Sequence, residues 1–318
     1  MRASFPLLVL LVCSVVLAQA DVNPQELLRI GRADEARRAL DTDVQRNPSN
    51  AQAYHLLSRL YYQLEQWDNA LKMAEKAVAL EPQDSTFHQW LGRAAGRKAE
   101  NSNPFTAFGL ARRVRAEFEK AVSLDGSNVS ARADLAEYYM EAPGFLGGDK
   151  NKARQQADAV SRHDPALASY IRAHVEEKQG NARAEQEYKK AITESGNQSR
   201  YWTELAYYYR RAGRPQDMEA AIGQSLAASH STALPEYDGA FLLLRTGRNL
   251  SSAAQMLRRY LASDHLSEDG PAFHAHYMLG ELMEKQGDRN GAAAEYHAAL
   301  DLAADYRAAR DALARISR

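Results

Sequence analysis

Apolar residues recur along this chain at the spacing of one helix face, in blocks that short polar turns separate. The first clear pair of blocks runs from Tyr54 to Tyr61 and from Ala74 to Pro82, with a turn at 67–70 between them. A leucine beside a small residue marks the first block, and regularly spaced alanines mark the second. This pattern predicts two amphipathic helices that fold back on each other as a hairpin.

The leucine-and-small-residue signature gives the length of the repeating unit. Leu57 and Leu91 are 34 residues apart, whereas Leu91 and Leu135 are 44 apart, which indicates one unit plus an insertion. Later copies are centred on Leu205 and Leu279, with weaker units between them. Repeats of this length cannot bury their apolar faces alone, so we expect them to stack into one continuous array.

Small residues are expected where the two helices of a hairpin approach closely, because a larger side chain would push them apart. The order of an aromatic residue, Leu-Gly, Tyr, spaced alanines and a final proline resembles the tetratricopeptide repeat family. That resemblance implies an all-α fold, a right-handed α-solenoid (superhelix) of stacked antiparallel helix-turn-helix repeats. The small positions are Ser58, Gly92, Ala136, Ala206 and Gly280.

The resemblance covers nearly all of the chain after its first twenty residues. We expect residues 21–318 to form a single solenoid of about eight helical hairpins, with residues 302–317 as a capping helix. Length alone would suggest about two domains, but a solenoid grows by adding units. Leu313 and Ile316 fall on one side of the last helix and arginines on the other, so this helix is predicted to cap the open end.

Two insertions, near 96–108 and 141–149, interrupt consecutive hairpins and are expected to project side by side from the hairpin turns. In one interpretation they form an insertion lobe that binds a partner or a small ligand through apolar anchors ringed by positive charge. In the other, the phenylalanines only pack the loops together and the glycines provide turn geometry. The residues assigned to the lobe are Lys98, Phe105, Phe108, Phe145 and Leu146.

In the family that this chain resembles, the first helix of each hairpin lines a concave groove. Matching the spacing gives a groove that is basic in its amino-terminal half and aromatic and acidic in its carboxy-terminal half. We expect the groove to accept an extended or helical peptide; the alternative is a solvated helix face. The groove residues are His55, Arg59, Tyr62, Gln89, Arg93, Glu137, Met140, Tyr207, Arg210, Tyr237, Phe241, Tyr277 and Glu281.

The amino terminus has the pattern of a secretory signal peptide: a basic residue at Arg2, an apolar run at 7–17, and a small-x-small site ending at Ala20. The run is too short to span a bilayer comfortably, although an uncleaved anchor is the alternative. Cleavage of residues 1–20 would remove the only cysteine, Cys13, and would leave no transmembrane segment. We therefore expect export to the periplasm of a bacterium, with secretion as the alternative.

The charges nearly cancel, with 40 Lys and Arg against 41 Asp and Glu, and they are interspersed. This balance disfavours nucleic acid and anionic membranes as partners, although it is compatible with a local basic stripe. No HExxH motif or phosphate-binding loop is found, and His274 and His276 point in different directions on a predicted helix. We expect no enzyme activity, no metal site and no cofactor.

Two functions from different classes remain open. The favoured hypothesis is a non-catalytic scaffold or adaptor of the bacterial cell envelope, which binds a protein or peptide through the groove, the insertion lobe or both. The alternative is a small-ligand-binding protein, or an accessory subunit of an envelope enzyme or transporter. The sequence does not identify the partner, the pathway or the oligomeric state.

Overall fold

The computed structural model describes residues 23–317, and its regular structure there is helical apart from one isolated bridge between Gln198 and Ser229. A short 3-10 helix, Gly144–Leu146, follows the seventh α-helix. The α-helices are α1 (Pro24–Arg29), α2 (Ala33–Arg46), α3 (Ala51–Gln63), α4 (Trp67–Leu80), α5 (Ser85–Glu100), α6 (Pro104–Leu124), α7 (Val129–Glu141), α8 (Lys150–Val160), α9 (Pro165–Lys178), α10 (Ala184–Glu194), α11 (Ser199–Arg211), α12 (Pro215–Ala227), α13 (Leu234–Thr246), α14 (Leu250–Leu261), α15 (Ala272–Lys285), α16 (Arg289–Leu302) and α17 (Arg307–Ile316).

Successive helices of the described range pair as hairpins, from α1 with α2 through α15 with α16, and α17 follows as a single helix. The first helix of a hairpin also contacts the first helix of the next one, as α3 does with α5 and α5 with α7. The odd-numbered helices therefore lie side by side along the array. The predicted all-α solenoid of stacked antiparallel helix pairs is confirmed.

The turns between hairpins carry the residues that start the next helix. Asn50, Asp84, Asn128 and Asp164 each accept a hydrogen bond from the backbone amide three residues further on. These side chains satisfy amide groups that have no partner inside the first turn of a helix. Each of these four residues therefore marks where the next hairpin begins.

The small residues of the repeat lie where they were predicted. A Cβ atom added to Gly92 would stand 2.4 Å from the ring of Phe118, and one added to Gly280 would stand 2.5 Å from the ring of Tyr296. Ser58 is fully buried at the equivalent position. The small side chains let the aromatic ring of the second helix pack directly against the first helix.

The first insertion differs from the predicted projecting loop. Residues 96–100 continue α5 and residues 104–108 begin α6, so these helices reach 16 and 21 residues and only 101–103 separates them. Asn103 caps α6 and Pro104 occupies its first position, where a proline is tolerated. The added residues therefore lengthen the hairpin and carry its turn away from the stack.

The second insertion is a compact loop that contacts the first. Gly147 has a left-handed backbone (φ 93°), and a Cβ atom on Gly148 would meet the carbonyl oxygen of Ala142 at 1.7 Å. Both positions therefore require glycine. Asp149 then caps α8 by accepting a hydrogen bond from the amide of Asn151 at 2.8 Å.

The two ends of the array contact each other, which the sequence did not predict. Leu27 and Leu28 of α1 belong to the same buried cluster as Phe273 of α15 and Tyr306. The guanidinium of Arg29 donates to the carbonyl oxygen of Leu266 at 2.7 Å. The solenoid therefore closes on itself, and the contact between its first and last hairpins is called the closure below.

The capping helix also differs from the prediction. α16 ends at Leu302, where an extended Ala303 breaks the helix, and α17 begins only at Arg307. α17 does pack on α16, through Ala312 against Tyr296. The segment before it fills the closure, because Tyr306 is buried there. The predicted helix 302–317 therefore begins five residues later than expected, and it packs on the last hairpin. Contact of that end with the first hairpin was not predicted, since helical periodicity carries no information about contact between distant repeats.

Candidate functional site

The closure converts the concave face of the array into a lumen. Three cavities of about 860, 590 and 200 Å³ lie in it, and the side chain of Arg93 lines all three. Asp269, from the loop before α15, lines the first two. The three cavities thus adjoin one another at Arg93, and together they are called the lumen below.

The lumen is lined by more carboxyl groups than cations. Arg93 is neutralised by Asp134, with 2.7 Å between its Nε and Oδ2 of the carboxylate. Within the described range the lumen-lining cation without an ion pair is Arg200. Apart from Asp164, which caps α9, the lumen carboxylates that form no ion pair with a described residue are Glu137, Glu204, Asp238 and Asp269.

Two of these carboxyl groups are partly buried in the wall of the lumen. Burial, together with the nearby charges of Glu204 and Asp269, raises the pKa of Asp238 to about 8. The hydroxyl of Tyr207 is its hydrogen-bond donor, at a long distance of 3.5 Å. Burial also raises the pKa of Glu204. Both groups retain protons more readily because the charged forms are poorly solvated and repel each other.

Five of the predicted groove residues line the lumen: Tyr62, Arg93, Glu137, Met140 and Tyr207. They come from four different inner helices, α3, α5, α7 and α11. The structure therefore brings together residues that are far apart in the chain. A ligand in the lumen would contact several repeats at once.

The predicted polar groove residues outside the lumen bind other parts of the protein. Arg59 forms a bidentate ion pair with Glu268 across the closure, with 2.9 Å between Nε and Oε1. The side-chain amide of Gln89 donates to Asp134 at 2.6 Å, and Glu281 pairs with Arg245 at 3.4 Å. Charge reversal at Arg59 would consequently disturb the closure rather than test a groove.

The remaining predicted groove residues contribute to packing. His55 is buried against Phe87, and burial lowers its pKa to about 3. Arg210 lies over the ring of Tyr207, 5.8 Å from its centroid. The rings of Tyr237, Phe241 and Tyr277 each lie within 6.4 Å of another aromatic ring.

The most unusual lumen residues were missed by the sequence prediction. Glu204 lies three residues before Tyr207 on α11, and Asp238 is next to Tyr237, which was assigned in its place. A shift of one residue rotates a helical side chain by about 100°. Asp269 lies in a loop, where no periodic signal exists. A search for acidic residues on the first helix of each hairpin would have included Glu204 and Asp238.

The second candidate surface consists of Phe105, Phe108 and Phe145 and is called the aromatic tip below. These side chains are 93%, 46% and 78% exposed. The rings of Phe108 and Phe145 are stacked with 6.4 Å between centroids. The two insertions therefore meet through aromatic side chains that remain largely in water.

The other two residues assigned to the insertion lobe have structural contacts. Leu146 is only partly exposed, and its carbonyl oxygen accepts a hydrogen bond from the hydroxyl of Tyr138 at 2.9 Å. The ammonium group of Lys98 donates to Asp68 at 2.8 Å. Neither residue belongs to the aromatic tip.

Among residues 23–317, no group of three or more His, Cys, Asp or Glu side chains is arranged to hold a metal ion. His276, one of the histidines considered in the sequence, pairs with Glu295 at 2.7 Å. In the same range, each helix is too short or too polar to cross a bilayer. The predicted signal peptide, residues 1–20, lies outside the described residues.

Comparison with known families identifies one part of the array. Residues 27–94 match the family model described as tetratricopeptide repeat. This segment comprises most of the first three hairpins, so the resemblance seen in the sequence is confirmed for that part of the chain. No curated protein matches the chain significantly.

Solved structures extend the comparison to the fold. Yeast Tom70 is similar over 90% of this chain and 58% of its own, at 15% identity and a TM-score of 0.56. A thermophilic TPR protein of Thermus thermophilus has 18% identity over 58% of this chain and 98% of its own, with a TM-score of 0.48. A Thermobaculum terrenum O-GlcNAc transferase mutant has 24% identity and a TM-score of 0.38, over 45% of this chain.

This chain covers only 25% of the transferase chain and 58% of the Tom70 chain. At these identities the likeness concerns the fold. The similarity to Tom70 shows that the helix pairs stack as in a TPR-like solenoid.

Proposed function

We propose that this protein is a non-catalytic scaffold that binds a protein partner, and that the lumen receives a positively charged, extended segment of that partner. The observation that carries the proposal is the excess of carboxyl groups over cations in the lumen. Glu137, Glu204, Asp238 and Asp269 have no ion pair there, and within the described range Arg200 is the one lumen arginine or lysine without an ion pair. Burial raises the pKa of Asp238 to about 8, so this group is mostly protonated at neutral pH, and a lysine or arginine side chain would favour its ionised form and pair with it.

The size and lining of the lumen suit a segment of chain. A cavity of about 860 Å³ lies in the range of sites that enclose a small molecule or a few residues, so a folded domain would not enter. Tyr62 and Trp90 line the second cavity, and Tyr207 lines the first. Their rings provide apolar surface for the stems of basic side chains.

The proposal can be tested with two labelled peptides of equal length, one alternating lysine with alanine and the other alternating glutamate with alanine. We expect the purified protein to bind the lysine peptide and not the glutamate peptide, as measured by fluorescence anisotropy. Glu204→Gln should weaken binding by about tenfold, because each 1.4 kcal/mol of lost attraction changes Kd tenfold.

Glu81→Gln is the matched control, since Glu81 is exposed at a turn between hairpins outside the lumen. Both variants lose one carboxylate, so a general charge effect would weaken binding equally in the two. Equal affinity for the two peptides, or equal effects of the two variants, would contradict the proposed role of the lumen.

The alternative of a small-ligand-binding protein is favoured by the same cavities, the second of which is lined by Pro143 and Leu146 of the second insertion. The three phenylalanines of the aromatic tip line none of the three lumen cavities. A small ligand would therefore bind in the lumen, beside Glu204 and Asp238. Mass spectrometry of the protein purified without denaturation distinguishes the alternatives, because a bound small molecule adds a fixed mass that the lysine peptide displaces.

Export to the cell envelope is part of the proposal. It is supported by the basic, apolar and small-residue pattern of residues 1–20. We expect cell fractionation to recover the protein outside the cytoplasm and amino-terminal sequencing to begin at Asp21. A cytoplasmic protein that retains Met1 would contradict export and would leave the lumen proposal intact.

A further inference from the structure

The aromatic tip holds most of the large apolar side chains that are exposed in the described structure. Four large apolar side chains are exposed within residues 23–317: Leu80 and the three phenylalanines of the tip. Phe105 and Phe108 are three residues apart in α6 and therefore share a face, and Phe145 stacks on Phe108. The three rings form one patch, and such patches on soluble proteins usually mark a contact surface.

The two segments that carry the tip contain no charged side chains. Residues 101–111 and 142–148 amount to 18 residues (11 + 7) and contain no Asp, Glu, Lys or Arg. Since 25% of the whole chain is charged, four or five charged residues would be expected in a segment of this size. An apex without charge can leave water without the cost of desolvating an ion.

Positive charge adjoins this apex. Arg112 and Lys152 are exposed, and neither they nor Lys150 form an ion pair with a described residue. The nearby acids are engaged, since Glu141 pairs with Lys178 at 2.6 Å and the side chain of Asp149 caps α8. The ammonium group of Lys150 donates to the carbonyl oxygen of Lys178 at 2.9 Å, and that of Lys152 lies over the ring of Tyr139. The charges beside the tip that lack an ionic partner are therefore cationic.

We infer that the aromatic tip inserts into the surface of a lipid bilayer that carries anionic headgroups, and so holds the scaffold at a membrane. The phenylalanine rings would enter the boundary between headgroups and acyl chains, and Arg112, Lys150 and Lys152 would face the anionic headgroups. This inference goes beyond the proposed function, because it assigns a second surface and a partner that is not a protein.

The shape of the tip favours a bilayer over a protein partner. The tip ends the longest hairpin of the array, and its rings project rather than line a pocket. Aromatic residues that dominate protein interfaces are usually enclosed in well-packed, fully desolvated sites. A projecting, uncharged apex with cations behind it instead matches the arrangement of segments that lie in a membrane interface.

Co-sedimentation of the full protein with phosphatidylcholine vesicles, prepared with and without phosphatidylglycerol, tests the inference. We expect binding to both, and stronger binding where phosphatidylglycerol is present. The combined change Phe105→Ser, Phe108→Ser and Phe145→Ser should lower the partition coefficient at least about tenfold on both kinds of vesicle. Arg112→Glu with Lys150→Glu should lower it about tenfold on the anionic vesicles alone.

Leu80→Ser is the matched control, because it changes the one other large exposed apolar residue of the described range and lies away from the tip. All variants keep the apolar run at 7–17, so lipid binding by that run cannot account for a difference between them. The altered side chains are exposed, apart from that of Lys150, which is partly exposed. Unchanged melting temperatures will verify that each variant is folded.

Two results would overturn the inference: no sedimentation of the unaltered protein with either vesicle, or equal sedimentation of the triple serine variant. Loss of a captured protein by that variant, without any vesicle binding by the unaltered protein, would also overturn it in favour of protein docking. The lysine-peptide assay on the same variants separates the two proposals. Changes at the tip should leave peptide binding intact, and Glu204→Gln should leave vesicle binding intact.

Discussion

Replacing Gly31 with alanine should separate the first hairpin from the last. Gly31 has a left-handed backbone (φ 73°), and a Cβ atom there would stand 2.3 Å from the backbone nitrogen of Ala272. The neighbouring backbone cannot rotate away as a flexible side chain would. We expect Gly31→Ala to lower the free energy of unfolding by about 3 kcal/mol, of which about 1 kcal/mol is backbone strain and the rest is overpacking.

Gly180→Ala is the control for this prediction. Gly180 has nearly the same backbone angle (φ 69°), but a Cβ atom there would meet nothing within 4 Å. Thermal melting should therefore show a larger loss for Gly31→Ala, and small-angle X-ray scattering should show an increased radius of gyration for Gly31→Ala alone. Equal melting temperatures and equal radii for the two variants would mean that the closure does not exist in solution.

Stability should fall as pH rises through the range in which Asp238 titrates, and Asp238→Asn should remove the share of that fall that Asp238 causes; Glu137 and Glu204, whose pKa values burial also raises, keep theirs. An aspartate in the unfolded chain releases its proton near pH 4, whereas burial raises the pKa of Asp238 in the folded protein to about 8. Below pH 4 both states hold the proton, so the group has no effect. Between pH 4 and pH 8 only the unfolded state loses it, so folding becomes less favourable as pH increases.

At pH 8 we expect Asp238→Asn to be more stable than the unaltered protein by about 2 kcal/mol, and at pH 4 to be equally stable. The gain is smaller than full desolvation would give, because the carboxyl group keeps some contact with water in the lumen. Urea denaturation at both values of pH measures it. Asp301→Asn, a change at an exposed position of α16, should show no such difference.

Buried histidines act in the opposite direction and must be separated from this effect. Burial lowers the pKa of His55 to about 3, and it lowers those of His174 and His274 to about 4. An unfolded histidine takes up a proton near pH 6.5, so above that value both states are neutral and these residues have no effect. Below it only the unfolded state gains the proton, so folding becomes less favourable as pH falls. The difference between the unaltered protein and Asp238→Asn cancels their contribution, because both proteins contain them. A stability difference that is the same at pH 4 and pH 8 would exclude a raised pKa at Asp238.

The hairpins were predictable because their cause is local. A leucine, a small residue and an aromatic residue at helical spacing determine which faces pack, and Gly92 and Gly280 lie under aromatic rings as that pattern requires. Asn50 and Asp84 cap the helices that follow them, and these signals too involve only neighbours in sequence. Each element could thus be placed from a short window of the chain.

The closure and the lumen were not predictable in this way, because they depend on the sum of small rotations between successive repeats. A residue such as Arg59 looks like a free cation in the sequence, yet its partner, Glu268, lies 209 residues later. Asp238 was passed over in favour of Tyr237 because the groove positions were transferred by spacing alone. The first insertion was mistaken for a loop because its residues, including Arg97 and Lys98, gave no sign that α5 would continue through them.

An array whose first and last units touch has no free terminus on which another unit could be placed. A repeat array whose ends do not touch can gain a copy by duplication, because the added unit only lengthens the array. Here an added copy would have to separate the surfaces of the closure, which Tyr306 and Phe273 already fill. The copy number of this protein is thus constrained by its own curvature, and an engineered variant with one unit more or fewer should lose the interior space around Arg93.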